Sequence, residues 1–427
     1  MVSSFRLPAL LATVLLLLAG SAFLTAVACA RPDDRVDSFR LVTEGSVVRA
    51  VSPGTPAFSG ELFDYEEILT LEQDRDRSGS LLYYGPHRAW DEPGFFLGAD
   101  GHYYVQDRGN GRIAVFDGAG RFSHGIGHPG EGPGEFGFIY LTGLEDGELE
   151  VWDGARHRLS WFTPDGTLLR TLPSPIGGSV IRHTADPDLL VSRAFAHETI
   201  EEIEHVGAGF ESRTPAGEPI GRAVTPLVPR SYPYYWEGHK GGVGYQAMRF
   251  TCSPGMAWTP SDEVVLTNGL QPVLWLYRPD GTLSRIIEVR FPRLPVTRRE
   301  ERVEIAGLER RLAEATGDER IILQSQRENI TWPEQKSCWM SVAVDDAGYF
   351  WLRIPEWDAD PEGRGPGWYC YLLSPQGEYL GRTRAPVEGQ VMGGRLLGIR
   401  SDSETGRADY SVWRIRPRPA GLRWPGR

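Results

Sequence analysis

Lysine is almost missing from this 427-residue chain: Lys240 and Lys336 are the only two, and arginine carries the rest of the positive charge. No long basic run interrupts a formal net charge of −12, which argues against a nucleic-acid partner. Cysteine is scarce as well, limited to Cys29, Cys252, Cys338 and Cys370. There is no CxxC pair and no His/Cys spacing of the kind that holds zinc. P-loop, nucleophile-elbow and HExxH motifs are absent, so those routes to phosphate binding, acyl transfer and zinc hydrolysis find no support. One GxGxxG match exists, Gly125-Ile126-Gly127-His128-Pro129-Gly130. Pro129 and Pro133 forbid the helix whose N-terminus would have to face a pyrophosphate, so the match is a turn.

Turn formers and aromatics are abundant. With 51 Gly and 32 Pro the chain is punctuated too often for a helical protein, and 13 Trp suit sheets packed face to face. The organising feature is a self-match at an offset of 46 residues, from Gly101 to Gly147. Gly101, Val105, Asp107, Arg112, Phe116 and Gly120 map without a gap onto Gly147, Val151, Asp153, Arg158, Phe162 and Gly166. A repeat of roughly 40–50 residues made of short strands is the signature of a β-propeller blade. Asp107/Arg112 and Asp153/Arg158 bracket equivalent hairpins and read as turn staples, because chemistry need not recur in every blade.

Weaker copies run from Asp186 to Ile220, Asp262 to Leu283, Asp346 to Leu380 and Gly394 to Ile415. The expectation is an all-β, six-bladed β-propeller of four-stranded antiparallel blades. Either Leu41–Val51 or Glu66–Leu71 supplies the strand that closes the last blade. Two segments break the repeat. Thr297–Gln326 spaces Val303, Ile305, Leu308 and Leu312 at helical intervals, predicting a helical insertion over about 297–326 that ends at Gly317 and Asp318. It serves either as a helix packed on the ring or as a partner-binding helix. The other, around Tyr232, Tyr234, Tyr235 and Trp236, reads as an aromatic loop, either a binding surface or a loop packed on itself.

Residues 1–28 form a targeting segment: Arg6 precedes a Leu/Ala-rich run that ends in Ala26-Val27-Ala28. Cys29 follows directly, and the arrangement resembles a bacterial lipoprotein signal, in which that thiol is acylated. Simple secretion and an uncleaved anchor are the alternatives. The expected organisation is then a signal peptide (1–28), a tether with a possible closing strand (29–51), the propeller (52–417) and a C-terminal tail (418–427). In an oxidising compartment Cys338 and Cys370, in one predicted blade, are candidates for a disulfide; otherwise they are buried small residues.

Ile126 through Phe136, with its Gly-Pro-Gly-Glu-Phe turn, resembles the NHL-type six-bladed β-propellers. It is most similar to bacterial exported six-bladed propeller lipoproteins with no assigned function. Val105–Asp107 with Arg112–Phe116, and Trp332–Glu334 with Val342–Arg353, carry the same likeness. The resemblance implies the fold and an exported address at the bacterial cell envelope. The expected function is a binding or scaffold module, lipid-anchored and facing the periplasm, that holds a protein or glycan on one ring face. The resemblance supplies no catalytic residues. Propeller enzymes such as lactonases and amidating lyases imply the competing reading, a metal-assisted hydrolase or lyase with a divalent cation in the central channel. His87, His183 and His239, from different blades, are the candidate ligands, although their spacing carries no metal signature.

Overall fold

The computed structural model describes residues 38–72, 94–145, 147–173, 181–183, 190–236, 242–252, 254–355, 368–401 and 408–425. It opens with a hairpin, β1 (Arg40–Glu44) and β2 (Val47–Pro53), followed by β3 (Phe63–Thr70). Blade 1 is β4 (Phe95–Leu97), β5 (Tyr103–Asp107), β6 (Arg112–Phe116) and β7 (Phe122–Ile126). A two-residue parallel pair, β8 (His128–Pro129) and β9 (Glu135–Phe136), occupies the connection to blade 2. Blade 2 is β10 (Ile139–Glu145), β11 (Glu148–Asp153), β12 (Arg158–Phe162) and β13 (Leu168–Pro173). Blade 3 is β14 (Ile181–His183), β15 (Leu190–Ile200), β16 (Ile203–Arg213) and β17 (Pro219–Val224), enlarged by β18 (Val228–Trp236) and β19 (Gly242–Ala247). Blade 4 is β20 (Gly255–Trp258), β21 (Val264–Thr267), β22 (Val273–Tyr277) and β23 (Leu283–Arg290). Two helices follow, α1 (Arg298–Glu314) and α2 (Gly317–Asn329). Blade 5 is β24 (Ser341–Val344), β25 (Phe350–Arg353), β26 (Trp368–Leu373) and β27 (Tyr379–Ala385). Blade 6 is β28 (Glu388–Met392), β29 (Arg395–Ser401) and β30 (Ala408–Pro417), completed by β3. The fold is a six-bladed β-propeller.

Closure comes from the second of the two expected stretches. β3 pairs antiparallel with β30, from Phe63↔Pro417 to Thr70↔Ser411, so the last blade holds strands from both ends of the ring. The first stretch goes elsewhere. β2 pairs parallel with β23, from Val48↔Arg285 to Pro53↔Arg290, and widens blade 4. In the tail, Trp424 is buried among Phe63, Tyr349 and Trp351, and Tyr349 Oη donates to the Arg423 carbonyl at 2.6 Å.

The core is distributed. Among the described residues the buried apolar side chains form six clusters, each shared by two adjacent blades. Ile113, Val115 and Ile126 of blade 1 meet Leu141, Val151 and Phe162 of blade 2. Leu274, Leu276 and Ile287 of blade 4 meet Val342, Phe350 and Leu352 of blade 5. Each blade therefore buries both sheet faces, which is why the central strands read as near-continuous apolar runs. Polar latches join neighbours. Gln106 Oε1 of blade 1 accepts from the Leu141 amide of blade 2 at 2.7 Å. Arg353 of blade 5 pairs with Glu388 of blade 6 at 3.1 Å, with both side chains under 10% exposed.

One five-residue turn recurs at Gly98–His102, Asp117–Arg121, Thr163–Thr167, Thr214–Glu218, Thr259–Glu263, Arg278–Thr282, Asp345–Tyr349 and Ser374–Glu378. Its first N–H donates to the fifth carbonyl, and its fourth N–H donates back to the first carbonyl. The fourth residue must be left-handed, which explains the Asp-Gly signals: Gly101 has φ +82°, and where glycine is missing Asp262 takes φ +60°.

Candidate functional site

Antiparallel meanders alternate the face on which each connection lies. Every one of the five-residue turns joins strands one and two or three and four of a blade, so all lie on one face of the ring. The opposite face receives the connections between strands two and three and between successive blades. It carries α1 and α2, between β23 and β24, and it carries the β18–β19 hairpin, between β17 and β20. It also carries the tip of the β15–β16 hairpin. Among the described residues, the elements added to the basic repeat, apart from the β1–β2 hairpin on the rim of blade 4, therefore project from a single face.

Blade 3 builds most of this projection. β15 and β16 pair over eleven positions, from Leu190↔Arg213 to Ile200↔Ile203. β17 covers the lower part of β16, at Gly209–Arg213, and β18 takes over above it, at Glu204↔Ser231 through Val206↔Val228. β19 then pairs with β18 from Ser231↔Ala247 to Trp236↔Gly242. The result is a sheet that rises above the ring. Its β15–β16 tip is a two-residue turn in which Glu201 and Glu202 have φ +49° and +66°, a conformation that Asn-Gly adopts with far less strain. Exposed Glu198, Glu201 and Glu202 make that tip acidic.

The aromatic segment is thus a strand, correcting its reading as a loop. Tyr232, Tyr234, Tyr235 and Trp236 all lie in β18. Tyr232 is buried and burial raises its phenol pKa, Tyr234 is half-buried, and Tyr235 is 46% exposed. Tyr235 pairs with Val243, and Tyr245 follows two residues on, so the three project from one side of the hairpin with 45–49% exposure. The Trp236 side chain lies outside the described residues.

The helical insertion packs beside this strand. Tyr235 N–H donates to Ser325 Oγ of α2 at 2.7 Å, and Gln326 Nε2 of α2 donates to Gln246 Oε1 of β19 at 3.0 Å. α2 buries Leu323, Ser325 and Gln326, whereas α1 buries no residue and leaves Val303 62% exposed. Gly317 and Asp318 open α2 rather than ending the insertion. A Thr297–Glu300 capping box starts α1, and Lys336 Nζ fixes its first turn by pairing with Glu300 at 2.5 Å. Arg249, just beyond β19, reaches Glu304 of α1 at 3.0 Å. The two stretches that broke the sequence repeat are therefore neighbours in space.

The remaining expected groups are structural where they are described. Asp107 accepts from Arg112 Nε at 2.9 Å and from Asn110 Nδ2 at 2.8 and 3.0 Å. Buried Asp153 accepts from the Gly137, Phe138 and Ala155 amides, tying the blade 1–2 connection to its hairpin. Arg158 donates to the Gly132 carbonyl at 2.9 Å and to the Glu135 carbonyl, clamping the Gly-Pro-Gly-Glu-Phe loop. A Cβ on Gly127 would come within 2.1 Å of the Phe136 ring, so the glycines of the GxGxxG match serve close packing. Cys338 and Cys370 are not joined: the Cys338 thiol donates to the Leu270 carbonyl at 3.4 Å, and Cys370 sits in the core between blades 5 and 6. Burial pushes the Cys252 and Cys370 thiols up to about 12, which keeps them protonated and poorly nucleophilic.

His87, His239 and the His183 side chain lie outside the described residues, as does Cys29. Among the described residues no three of His, Cys, Asp and Glu converge to hold a metal ion. A pocket of about 100 Å³ opens at the stem of the insertion, lined by Phe291, Leu294, Lys336, Ser337, Cys338 and Tyr371. Among the described residues no helix is long and apolar enough to cross a membrane.

The family described as "6-bladed beta-propeller" (DUF5128) matches residues 96–160, from β4 of blade 1 into β12 of blade 2. Among solved structures, a Bacteroides fragilis NCTC 9343 protein described as exported is similar at 9% identity, covering 87% of this chain and 100% of its own, with a TM-score of 0.48. A DUF4221 family member from Bacteroides vulgatus ATCC 8482 is similar at 10% identity, covering 84% and 99%, with a TM-score of 0.43. A gluconolactonase of Xanthomonas campestris is more distant, at 12% identity, 83% and 99% coverage, and a TM-score of 0.32. No curated protein matches the sequence.

Proposed function

We propose that this protein is an exported binding module of the bacterial cell envelope, held there by a lipid on Cys29, that grips a protein partner through the projection built by blade 3 and the helical insertion. One observation carries the reading. Among the described residues, seven of the thirteen large apolar side chains left in water lie on these additions: Phe195 and Ile200 on β15, Tyr235, Val243 and Tyr245 on β18–β19, Val303 on α1 and Ile321 on α2. Rigid aromatic and aliphatic side chains presented on strands are what a protein interface uses as anchors. The acidic Glu198–Glu202 tip beside them adds charge selectivity.

The test is capture of the tagged full-length protein from native envelopes, beside a Tyr235→Ser/Val243→Ser/Tyr245→Ser variant. The substitutions are solvent-facing, so folding is expected to survive and is checked by thermal unfolding. The expected result is one near-stoichiometric partner with the unchanged protein and at least tenfold less with the variant. Equal recovery with both would contradict the assignment of this surface.

A further inference from the structure

The rim of blade 4 carries an edge unlike those of the other blades. In every blade the fourth propeller strand pairs with its inner neighbour through a register shift: β6–β7, β12–β13, β16–β17, β22–β23, β26–β27 and β3–β30. A bulge twists an edge and spoils it as a template for another chain. Blade 4 then receives two more strands in unbroken register, β2 on β23 and β1 on β2. β1 ends that sheet, contains no proline, and exposes all five of its residues. Leu41 and Val42 are 54% and 38% exposed.

The turn decides which backbone groups β1 offers. The hairpin reverses over Gly45 and Ser46, with Gly45 at φ +64°, so its closing pair, Glu44–Val47, is hydrogen-bonded. An antiparallel ladder alternates, which makes Val42–Arg49 and Arg40–Val51 hydrogen-bonded pairs as well. Leu41 and Thr43 therefore aim their N–H and C=O groups away from β2. Among the described residues no strand lies along that side.

Charge is laid out along the same edge. Glu44, Arg49, Glu288 and Arg290 form an alternating row across β1, β2 and β23, with successive contacts of 3.4, 3.3 and 3.0 Å. The row ends at the Glu44 side chain, 58% exposed. Arg40 shares the face of Glu44 but sits about 13 Å along the strand, too far to pair with it.

We propose that β1 pairs antiparallel with β1 of a second copy of this chain, about a two-fold axis through Val42. Only Leu41 and Thr43 present outward backbone groups, so a bonded register must set these residues against each other. Leu41 on Leu41 puts Arg40 opposite Val42, and Thr43 on Thr43 puts Glu44 opposite Val42. Leu41 on Thr43 makes four backbone hydrogen bonds and sets Arg40 opposite the second copy's Glu44 at both ends. Each charge row then gains a cation at its exposed end. Val42 meets Val42 on one face, and the two Leu41 side chains become diagonal neighbours on the other. Each copy has one such edge, so the assembly closes at two. Two five-residue strands make a small contact, so the association is reversible. It is separate from the partner surface proposed for the insertion-bearing face, and either stands without the other.

Sedimentation velocity of the purified full-length protein across about a hundredfold range of concentration is the first test. The expected result is monomer passing to dimer and no further. Thr43→Pro removes an outward N–H and no bond to β2, so the melting temperature should hold while dimerisation weakens at least about tenfold. Monomer at every concentration overturns the proposal, and so do dimers that Thr43→Pro leaves intact. Arg40→Glu and Glu44→Arg should each weaken dimerisation alone, and an equimolar mixture of the two should restore it, because every charge then faces its opposite. No recovery on mixing overturns the charge pairing. Val42→Cys, on the axis, should give a covalent dimer under mild oxidation beyond any formed by the unchanged protein. Leu41→Cys should not, since its diagonal mate lies about 7–8 Å away, beyond disulfide reach. Cys252, Cys338 and Cys370 are buried and do not compete. Equal crosslinking from positions 41 and 42 overturns the register.

Discussion

The Tyr235 amide of β18 donates to Ser325 Oγ of α2 at 2.7 Å, joining residues 90 positions apart in the chain. β16 pairs with β18 only as far as Ser231, so beyond that point no strand among the described residues lies beside that edge of β18. α2 takes the place of that strand, and Ser325 supplies the acceptor that a ladder would have provided. Pro233 has the same parity as Tyr235, so its missing N–H also faces this edge and costs no bond to β19. Ser325→Ala should leave the Tyr235 amide without its partner, at about 1–2 kcal/mol locally. The check is hydrogen exchange, where the Tyr235 amide should exchange on the order of tenfold faster while the blade 1 strands are unchanged. Uniform acceleration across the ring would show that α2 supports the whole fold instead.

Arg353 and Glu388 form a buried ion pair between blades 5 and 6. Removing one partner leaves the other a buried charge that has lost its opposite charge at 3.1 Å, so Arg353→Met or Glu388→Gln should cost about 3–5 kcal/mol, whereas Arg353→Met/Glu388→Leu should recover much of it. Chemical denaturation of the four proteins checks this. Additive losses would mean that the two residues act independently.

Phe63 fastens the closure. It is 2% exposed, packs on Trp351 at 5.8 Å and on Trp424 at 4.6 Å, and lies at the end of β3 opposite Pro417. Phe63→Ala should destabilise the fold by about 3–5 kcal/mol, because the cavity falls where strands from the two ends of the ring meet. Leu41→Ala, on the exposed β1 edge, should cost less than about 0.5 kcal/mol. Thermal unfolding of both variants is the check.

Asp345 anchors the Asp345–Tyr349 turn, accepting from the Ala347 and Tyr349 amides and from Trp351 Nε1 at 2.8–3.0 Å. Burial nevertheless dominates and raises its carboxyl pKa to about 6. The folded state then binds the proton more tightly than the unfolded chain. This group's contribution to stability falls as pH rises from about 4 to about 6, by up to about 3 kcal/mol, and stays low above that. Asp345→Asn should remove that slope. It should also lower stability near pH 5, since its NH₂ must face one of the N–H donors. Melting temperatures of both proteins at pH 4, 5, 6 and 7 isolate the difference, and parallel profiles would contradict the assignment.

The sequence displayed the ring more clearly than the site, for physical reasons. The five-residue turn demands a left-handed fourth residue, so Gly101, Gly120 and Gly166 left a periodic mark. Asp262, filling the same role without glycine, blurred it in blade 4. Blade 3 lost the period because its strands run on past the ring. Pro233 and the glycines around Tyr234 suggested a loop, but the proline faces an edge where no ladder bond is made. Both Val47–Pro53 and Phe63–Thr70 look like strands, and the choice between pairing with β23 or β30 is a non-local contest that neither segment reveals alone. Trp424 in the tail packs between Tyr349 and Phe63, a contact between distant segments that the local sequence does not carry. Tyr235, Val243 and Tyr245 became one surface only once β18 and β19 were paired in register.

The most direct test of a binding role for the insertion-bearing face is site-specific photocrosslinking in intact envelopes, with a benzophenone side chain placed either at Tyr245 or at Ala119. The account predicts one discrete protein adduct from position 245 and none from position 119. Adducts from position 119 alone would contradict it, placing the contact on the face of uniform turns.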